Sequence, residues 1–396
     1  MKNILFITRN GLLEPLGQSQ ILSYLIPLSK EFSIHIISFE KDKDIENKEQ
    51  LSRIKSSCTE NNIDWTPLTY RKTFRSLGII VGFIELFFKV IRVCKVNKID
   101  CIHARSYYPA FIALLIHQIK KVPFIFDMRA LWPDELVEAG RLKESSISWK
   151  IIKTLEKQCL KKAFAIVSLT HAAVEHLDKV HPNFLLKDKT SVIPTCANLE
   201  RFKLKNREFT PNAITISCIG SMLSGWFQID ILKAVVDYML RNYPSVKFEF
   251  LTRDCKEDLL SKIDVEHKWV SRIHIDSVLF KDMPTRLTKH DGSVFFFTAN
   301  TSKLGSAPTR MAELLGTGIP VLTNSGVGDV DKIVLDHKVG ELLNSENEAN
   351  IKIACDNFIN LIRKENIGQQ CRSTAEALFA LDVGVVNYRS IYRKIV

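Results

Sequence analysis

Short runs of Ile, Val and Phe alternate along this chain with longer segments of helical periodicity. Runs that are apolar throughout are typical of parallel strands covered on both faces. In the first half, the predicted strands are residues 3–8, 34–39, 100–104, 123–128, 165–170 and 191–194. The helices predicted between them are residues 18–31, 44–61, 75–97, 107–119 and 148–162. This βαβ series predicts an open, doubly wound α/β sheet.

A second series of the same kind follows a polar connector at residues 203–212. Its predicted strands are residues 213–220, 247–252, 273–276, 292–297 and 319–324, and its predicted helices are residues 228–242, 255–263, 308–317 and 347–364. A length of 396 residues also favours two domains. We therefore predict two Rossmann-like domains, residues 1–203 and 204–373, which face each other across a cleft. The final helix, 374–396, is predicted to pack back on the first domain.

Composition narrows the class of protein. Hydrophobic residues make up 46% of the chain and charged residues 25%, a balance typical of a globular enzyme and unlike a disordered or polytopic membrane protein. The net charge of +11 favours an anionic partner, without choosing among nucleotide, phospholipid and nucleic acid. Nine scattered cysteines without a CxxC pair indicate reduced thiols, and no signal-peptide cleavage site follows the first strand. These features predict a cytoplasmic protein.

The segment GSAPTRMAELLGTGIPV, residues 305–321, carries the strongest local signal. Small and polar residues follow a buried strand and lead into a helix that begins near Pro308. Free backbone N–H groups at such a helix start bind anions, so Ser306, Ala307 and Thr309 indicate a diphosphate site. Arg310 adds a cation, and Glu313 lies one turn on, where a carboxylate can accept both hydroxyls of a ribose. The alternative is an ordinary strand–loop–helix connection with a capped start.

Several segments, in the same order, resemble those of the retaining GT-B glycosyltransferases of family four. They are residues 305–321 together with 11–20, 100–111, 126–141, 192–202, 217–226, 323–334 and 381–395. The resemblance spans essentially the whole chain. It implies a GT-B fold and transfer of a sugar from a nucleotide diphosphate-sugar to an acceptor hydroxyl, with retention.

The resemblance also implies roles for individual residues. Donor binding falls to Gly17, in a glycine loop after the first strand, and to Ser306, Ala307, Pro308, Thr309, Arg310 and Glu313. The sequence departs from the family at Gly305, where a Glu often contacts the donor sugar, and at Arg105, where the family has a His. The cations of the loop after the first strand of the second domain are also absent. Arg105, Arg253 and Lys303 are therefore the catalytic cations that we predict.

Asp127 and Arg129 follow a predicted strand and precede Trp132-Pro-Asp134-Glu135. Since the carboxyl ends of strands supply site residues, we predict that Asp127, Arg129, Asp134 and Glu135 bind the acceptor, although a structural ion pair is the alternative. Asp329-Val-Asp331 imitates a metal-binding DxD motif. It follows a glycine turn and precedes a helical pattern, so helix capping is favoured. No obligatory metal and no other cofactor is predicted.

Residues 71–100 combine basic side chains with apolar residues near helical spacing. Two interpretations remain open, a core-facing helix with a solvated basic face and contact with the anionic inner leaflet of a membrane. Nucleic acid is not favoured as a partner, because aromatic residues are sparse among the basic ones.

The predicted function is glycosyl transfer to a saccharide or lipid-linked saccharide, in the assembly of bacterial surface polysaccharide, lipopolysaccharide or glycolipid. A nucleotide-sugar epimerase on the same fold and a non-catalytic GT-B binding or regulatory protein are the alternatives. The epimerase would turn over the donor alone, whereas the binding protein would release no nucleotide.

Overall fold

The structure, a computed structural model, describes residues 1–69, 77–205, 210, 212–264, 266–279 and 281–395. The chain divides into two compact units. Unit 1 comprises Met1–Pro194 and Leu381–Val396, and unit 2 comprises Thr195–Ala380. Each unit is an α/β domain built on one parallel sheet.

Unit 1 contains, within its described residues, a seven-stranded sheet of order β3-β2-β1-β4-β5-β6-β7. The strands are β1 Lys2–Thr8, β2 Phe32–Glu40, β3 Ile63–Thr69, β4 Cys101–Arg105, β5 Phe124–Asp127, β6 Ala165–Ser168 and β7 Thr190–Val192. The helices are α1 Pro15–Gly17, α2 Ser23–Leu28, α3 Asp42–Glu46, α4 Lys48–Glu60, α5 Leu77–Asn97, α6 Tyr107–Lys120, α7 Trp132–Glu138, α8 Ile147–Lys162, α9 His171–Val180 and α10 Leu186–Lys189. A π-helical turn, Gln18–Leu22, joins α1 to α2.

Unit 2 repeats this order in six strands, β10-β9-β8-β11-β12-β13, among the residues described. The strands are β8 Ile214–Ile219, β9 Val246–Leu251, β10 Ile273–Asp276, β11 Gly292–Phe295, β12 Val321–Asn324 and β13 Gly340–Leu343. The helices are α11 Ile229–Asn242, α12 Lys256–Ile263, α13 Met283–Leu287, α14 Thr309–Thr317, α15 Val330–His337, α16 Glu348–Ile362 and α17 Ile367–Leu378. A 3-10 segment, Thr301–Gly305, precedes α14.

Both sheets confirm the predicted doubly wound fold with two Rossmann-like domains. In each, the strand order reverses beside the first strand, between β1 and β4 and between β8 and β11. Ligands of open parallel sheets bind at the carboxyl ends of the strands on either side of such a reversal. The fold therefore directs attention to the loops after β1 and β4 in unit 1, and after β8 and β11 in unit 2.

Two strands, β3 and β13, are absent from the sequence-based prediction. Both lie at an edge of their sheet, where partial exposure replaces the continuous apolar run of a central strand. Pro67 lies within β3, and an edge strand tolerates proline because one of its sides has no strand partner. These two edge strands therefore lacked the signal on which the prediction depends, whereas the edge strands β7 and β10 had been predicted.

The boundaries of the units differ from those predicted at 203 and 373. Ala197, Leu199 and Phe202 pack in the core of unit 2, and the Ala197 N–H donates to the Phe379 carbonyl at 2.8 Å. Thr374 and Ala375 are buried in α17, which is also part of unit 2. The chain therefore crosses between the units near residues 194 and 380. The connector residues 206–209 and 211 lie outside the described residues.

Of the predicted C-terminal segment 374–396, the part that belongs to unit 1 is the last helix, α18 Leu381–Arg393. Its Tyr388 and Tyr392 are buried and make edge contacts with the rings of Tyr24 and Phe32 respectively. At its exposed side, the guanidinium groups of Arg389 and Arg393 each lie 2.6 Å from the Glu31 carboxylate. Packing of the two tyrosines thus incorporates the end of the chain into the first domain.

Candidate active site

The carboxyl edge of the first sheet brings together three of the predicted residues. Arg105 ends β4 and Asp127 ends β5, and the two are direct register partners in the parallel pairing. Arg129 follows two residues later. Arg105 is 5% exposed and Asp127 is 1% exposed, so both charges lie inside the protein.

Asp127 is the centre of this cluster. Its Oδ2 accepts a hydrogen bond from the Tyr388 hydroxyl at 3.0 Å and lies 3.4 Å from His103 Nε2. The Nη1 atoms of Arg105 and Arg129 lie 3.6 Å from Oδ2 and 3.7 Å from Oδ1 respectively. Polar and charged groups from β4, from its own loop and from α18 therefore surround the carboxylate.

Burial and charge act in opposite directions on this carboxylate. Desolvation raises the pKa of Asp127, but Arg129, His103 and Arg105 outweigh it and lower that pKa to about 2. Burial lowers the pKa of His103 despite the adjacent carboxylate, so the imidazole is neutral near pH 7. Desolvation, together with repulsion from Arg129, lowers the pKa of Arg105 to about 10. Asp127 is therefore charged at neutral pH, and both arginines keep their positive charge.

The backbone beside the cluster adopts conformations that L-residues rarely take. Ser106, immediately after Arg105, has φ of 75° and ψ of 174°, and Arg129 has φ of 63°. The Ser106 N–H donates to the Asp127 carbonyl at 2.7 Å, which holds the end of β4 against β5. Such strained residues concentrate at binding sites, because the surrounding structure must fix them.

The glycine loop after β1 is filled by a carboxylate of the protein itself. Glu40, fully buried at the end of β2, accepts the N–H groups of Leu12 at 2.8 Å and Leu13 at 3.1 Å. A Cβ on Gly17 would lie 2.0 Å from the Gly11 carbonyl oxygen, so close packing of the loop requires glycine at this position. Donor binding by Gly17 stays a prediction. The N–H groups of Leu12 and Leu13 already donate to Glu40.

Asp134 and Glu135 lie in the first turn of α7. Asp134 pairs with Lys153 at 3.5 Å, and Lys153 in turn contacts the buried Glu156 at 2.6 Å. Glu156 accepts a hydrogen bond from the Tyr107 hydroxyl at 2.8 Å. These contacts attach α7 to α8 and α6. Asp134 therefore forms a structural ion pair, which is the alternative to acceptor binding.

In unit 2, α14 begins at Thr309, with Pro308 as its N-cap residue. Proline has no side-chain acceptor, and no side chain caps this N-terminus in the described part of the chain. The Ser306 N–H donates to the Lys303 carbonyl at 3.0 Å, and Pro308 has no N–H. Of the four residues predicted to bind a diphosphate here, Ala307 and Thr309 therefore carry the remaining N–H groups.

Glu313 lies one turn into α14 and is 5% exposed. Its Oε2 forms an ion pair with Nη1 of Arg310. Burial raises the pKa of the Glu313 carboxyl, and the charges of Arg310 and Arg201 oppose that rise. The predicted cation and the predicted ribose-binding carboxylate are thus in direct contact at the start of the helix.

Lys303 precedes α14 and is 7% exposed. Its Nζ lies 3.8 Å from the ring centroid of Trp226, which follows β8, and its carbonyl accepts the Gly328 N–H at 2.9 Å. The loops after β8, β11 and β12 therefore meet at this lysine.

The third predicted cation, Arg253, follows β9 and is exposed. Its neighbour Asp254 accepts hydrogen bonds from the Ser221 hydroxyl at 2.6 Å and from the N–H groups of Met222 at 2.6 Å and Leu223 at 3.1 Å. As in unit 1, a carboxylate thus fills the loop after the first strand; here it comes from the loop that follows β9.

The Asp329-Val-Asp331 motif holds its own glycine turn. Both carboxylate oxygens of Asp331 accept the Gly326 N–H, at 3.0 and 3.1 Å. Asp329 occupies the N-cap position of α15, as predicted for a capping residue. Its side chain, however, forms no capping hydrogen bond with the helix. No group of three or more His, Cys, Asp or Glu residues arranged to hold a metal ion occurs among the residues described.

Sequence reasoning missed Glu40, Asp254 and Tyr388. Each is a partner of a predicted residue or loop. Glu40 and Asp254 lie outside the segments that carry the resemblance, whereas Tyr388 lies within segment 381–395 but was given no role. Glu40 and Asp254 stand at or just after the end of the second strand of their sheets, which is the one signal that could have found them. Tyr388 is 261 residues from Asp127, so no local pattern could have paired them.

Comparison with known proteins agrees with this architecture. Residues 28–201 match the family model described as Glycosyltransferase Family 4. A search with the sequence found no match among curated proteins. Over residues 28–201 the family model thus agrees with the predicted resemblance to family four.

Solved structures of similar fold cover the chain from end to end. Sucrose-phosphate synthase from Thermosynechococcus elongatus has a TM-score of 0.72 at 12% identity, over 100% of this chain and 99% of that one. Anabaena HepE, in complex with UDP, has a TM-score of 0.70 at 14% identity, over 99% and 100%. A protein assigned as a UDP-N-acetylglucosamine 2-epimerase, from Listeria monocytogenes, has a TM-score of 0.59 at 13% identity, over 100% and 98%. At these identities the likeness shows the fold, which is GT-B.

The depressed pKa of Asp127 gives a testable dependence of stability on pH. The unfolded carboxyl titrates near pH ~3.9 and the folded one near 2, so its stabilising charge is fully present above pH ~4 and is lost as the pH falls towards 2. The shift corresponds to about 2 kcal/mol. Asp127→Asn should lower the free energy of unfolding by about that amount at pH 7, and by less at pH 3.5, measured by urea denaturation.

Asp188→Asn, which changes an exposed carboxyl of the same unit, is the control and should change stability little at either pH. An equal loss in Asp127→Asn at both pH values would contradict the assigned ion pairs.

Proposed function

We propose that this protein is a glycosyltransferase that moves a sugar from a nucleotide diphosphate-sugar to an acceptor hydroxyl with retention of configuration. The observation that carries the proposal is the start of α14, where an uncapped N-terminus, Arg310 and the buried Glu313 lie together. Uncapped helix starts favour anions, and a carboxylate one turn on suits a ribose. HepE, whose fold is similar, binds UDP in its solved structure.

The donor half of the proposed reaction uses cations and N–H groups that are already in place. As the bond between the sugar and the diphosphate breaks, negative charge grows on the leaving phosphate. The N–H groups of Ala307 and Thr309, with Lys303, Arg310 and Arg253, would stabilise that charge. Loss of one such fixed donor typically reduces transition-state stabilisation by ~3 kcal/mol. In the proposed reaction the leaving diphosphate also takes the proton of the acceptor hydroxyl, on the same face of the donor sugar. No obligatory metal takes part.

The acceptor half of the proposal rests on the Asp127 cluster of unit 1. Buried charges and strained backbone at the carboxyl edge of a parallel sheet are features of a binding site. Arg105, Asp127 and Arg129 are the residues that we assign to a saccharide or lipid-linked saccharide. Assembly of bacterial surface polysaccharide, lipopolysaccharide or glycolipid is the process that this acceptor class suggests.

A nucleotide-sugar epimerase is the second candidate, since the Listeria monocytogenes structure has a similar fold. The two functions differ in what they consume. An epimerase converts the donor alone, whereas a transferase releases nucleoside diphosphate in proportion to a second substrate. A non-catalytic binding protein would do neither.

Helix α5 supports a peripheral contact with the cytoplasmic face of a membrane. Its buried side carries Leu86 and Val90, so the core-facing interpretation holds for those residues. A second stripe, Val81, Ile84 and Phe88 at helical spacing, is 42%, 49% and 64% exposed. The basic residues Lys89, Arg92 and Lys95 continue along the helix, an arrangement that complements anionic lipid. Arg71, Lys72 and Arg75 lie outside the described residues.

No helix in the described part of the chain is both long and apolar enough to cross a membrane. All nine cysteines are free thiols, and burial raises the pKa of seven of them. Free thiols support the proposed location in a reducing compartment.

Donor binding is tested by the ribose contact of Glu313. Glu313→Ala should weaken UDP binding at least tenfold, because charge-assisted hydrogen bonds contribute ~1.5–3 kcal/mol each. The same change should weaken 2′-deoxy-UDP less, since that ligand lacks one of the two hydroxyls. Calorimetric titration measures both, and the exposed Glu365→Ala is the matched control. An equal loss for the two ligands would contradict the ribose assignment.

The membrane contact is tested with the exposed stripe of α5. The unaltered protein should co-sediment with vesicles of phosphatidylglycerol and phosphatidylethanolamine, and less so in high salt. The double variant Ile84→Ser and Phe88→Ser should remain in the supernatant. Leu335→Ser, which alters a 63% exposed leucine of unit 2, should bind like the parent. The proposal would be contradicted if the parent and both variants sedimented to the same extent, or if none of them sedimented with the vesicles.

A further inference from the structure

Helix α8 has an outer side that combines exposed isoleucines with exposed lysines. Ile147 and Ile151 lie one turn apart and are 79% and 55% exposed. Lys150, Lys157 and Lys161 are exposed as well, and helical spacing places them on the same side as the isoleucines. An apolar pair within a basic surface is the pattern of a helix that lies in the interface between lipid and water.

The inner side of α8 is occupied by the protein itself. Glu156, the only carboxylate in the helix, is buried, pairs with Lys153 at 2.6 Å and accepts a hydrogen bond from the Tyr107 hydroxyl of α6. Cys159 Sγ lies 3.7 Å from the Ala110 carbonyl oxygen, also on α6. The exposed side of α8 therefore carries cations and no carboxylate of its own, which complements an anionic partner.

Helices α5, α6 and α8 form one layer on one face of the first sheet. They lie in the connections from β3 to β4, from β4 to β5 and from β5 to β6, which all run in the same direction along the sheet. Right-handed crossovers between parallel strands place such helices on the same face. Helix α6 contacts both of the others, since the ring centroids of Tyr108 and Phe83 of α5 lie 5.4 Å apart and Tyr107 bonds Glu156 of α8. The exposed stripes of α5 and α8 therefore belong to one outer surface.

The contacts with α6 also give the level of α8 along this layer. The successive contacts Tyr107–Glu156 and Ala110–Cys159 show that the two helices run in the same direction. At 1.5 Å per residue, Ile147 lies about 14 Å along the helix from Glu156. Because α6 starts directly after the carboxyl end of β4, the first turns of α8 extend past the carboxyl edge of the sheet.

The exposed stripe of α5 begins at the same edge. Phe83, which contacts Tyr108 in the first turn of α6, is flanked by the exposed Val81 and Ile84. Both apolar stripes thus lie at the carboxyl edge of unit 1, where the Asp127 cluster is also located. A bilayer that covered both stripes would therefore lie close to that cluster.

We propose that the outer side of α8, together with that of α5, binds the anionic surface of a membrane and turns the carboxyl edge of unit 1 toward the lipid. The isoleucines of α8 enter the interface, and its lysines contact lipid phosphates. This orientation suits an acceptor that is anchored in the bilayer. The inference rests on the proposed function, because it adds a second helix and an orientation to the membrane contact proposed for α5.

The test is co-sedimentation of the full chain with vesicles of phosphatidylglycerol and phosphatidylethanolamine. The double variant Ile147→Ser and Ile151→Ser should bind these vesicles roughly tenfold more weakly than the parent, because two apolar side chains are lost from the interface. The double variant Lys150→Gln and Lys157→Gln should bind roughly fivefold more weakly at low salt, and by a smaller factor at high salt, because salt screens the lysines.

The matched control is the double variant Leu335→Ser and Val386→Ser, which alters side chains that are 63% and 54% exposed. Leu335 belongs to unit 2. Val386 lies on α18, which packs against α2 in the connection from β1 to β2, on the opposite face of the first sheet. This variant should sediment as the parent does.

Orientation is read from a tryptophan placed on each face of unit 1. In Ile151→Trp, lipids with brominated chains should quench added fluorescence that the parent lacks. In Val386→Trp, the added fluorescence should not be quenched. Equal quenching of the two variants would overturn the proposed orientation.

Three further outcomes would overturn the inference. The first is that the parent binds and the Ile147→Ser, Ile151→Ser variant binds equally well, which would leave the contact to α5 alone. The second is that this variant has a smaller mass than the parent by light scattering without lipid, because the surface would then join two copies of the chain. The third is a clear fall in its melting temperature, which would assign the isoleucines to the stability of the fold. Binding of UDP by the parent separates these failures from failure of the proposed glycosyl transfer.

Discussion

One buried carboxylate, that of Asp127, organises the functional edge of the first domain. It joins β5 to Arg105 and His103 of β4 and to Tyr388 of α18, so three separate parts of the chain meet at a single side chain. Its pKa is held near 2 by the surrounding cations, and it therefore remains charged throughout the neutral range. The same carboxylate is one of several polar contacts of the C-terminal helix, whose Tyr392 hydroxyl also contacts His103 and whose arginines pair with Glu31.

Two other carboxylates make the same type of contact, one in each unit. Glu40 in unit 1 and Asp254 in unit 2 each stand after or at the end of the second strand and accept N–H groups of the loop after the first strand. Loops of this kind bind phosphate in many parallel-sheet proteins because their N–H groups converge. Here those N–H groups already donate to a carboxyl group of the protein itself. In unit 2 the uncapped start of α14 is therefore the better position for a diphosphate, and we assign the diphosphate of the donor to it.

Much of the fold could be predicted from the sequence, because central parallel strands are apolar throughout and leave a clear signal. The edge strands β3 and β13 lacked that signal. The predicted boundary at 203 differs from the one near 194, because the sequence pattern assigns Ala197 and Phe202 to the first domain and only their packing places them in the core of unit 2. The positions of Asp127, Arg129, Arg310 and Glu313 after strands or at a helix start single them out in the sequence, and the resemblance singles out Arg105. Their roles stay predictions. Glu40, Asp254 and Tyr388 could not be found in this way, since each acts on a residue far away in sequence.

The central claim is that unit 2 binds a nucleoside diphosphate at the start of α14. Its most direct test is equilibrium titration of the unaltered protein with UDP, GDP, ADP and CDP, and with the corresponding monophosphates, with and without EDTA. The account predicts that one base is preferred, that its diphosphate binds at least tenfold more tightly than its monophosphate, and that EDTA leaves both affinities unchanged. Failure to bind any of the diphosphates, or equal affinity for diphosphate and monophosphate, would contradict it.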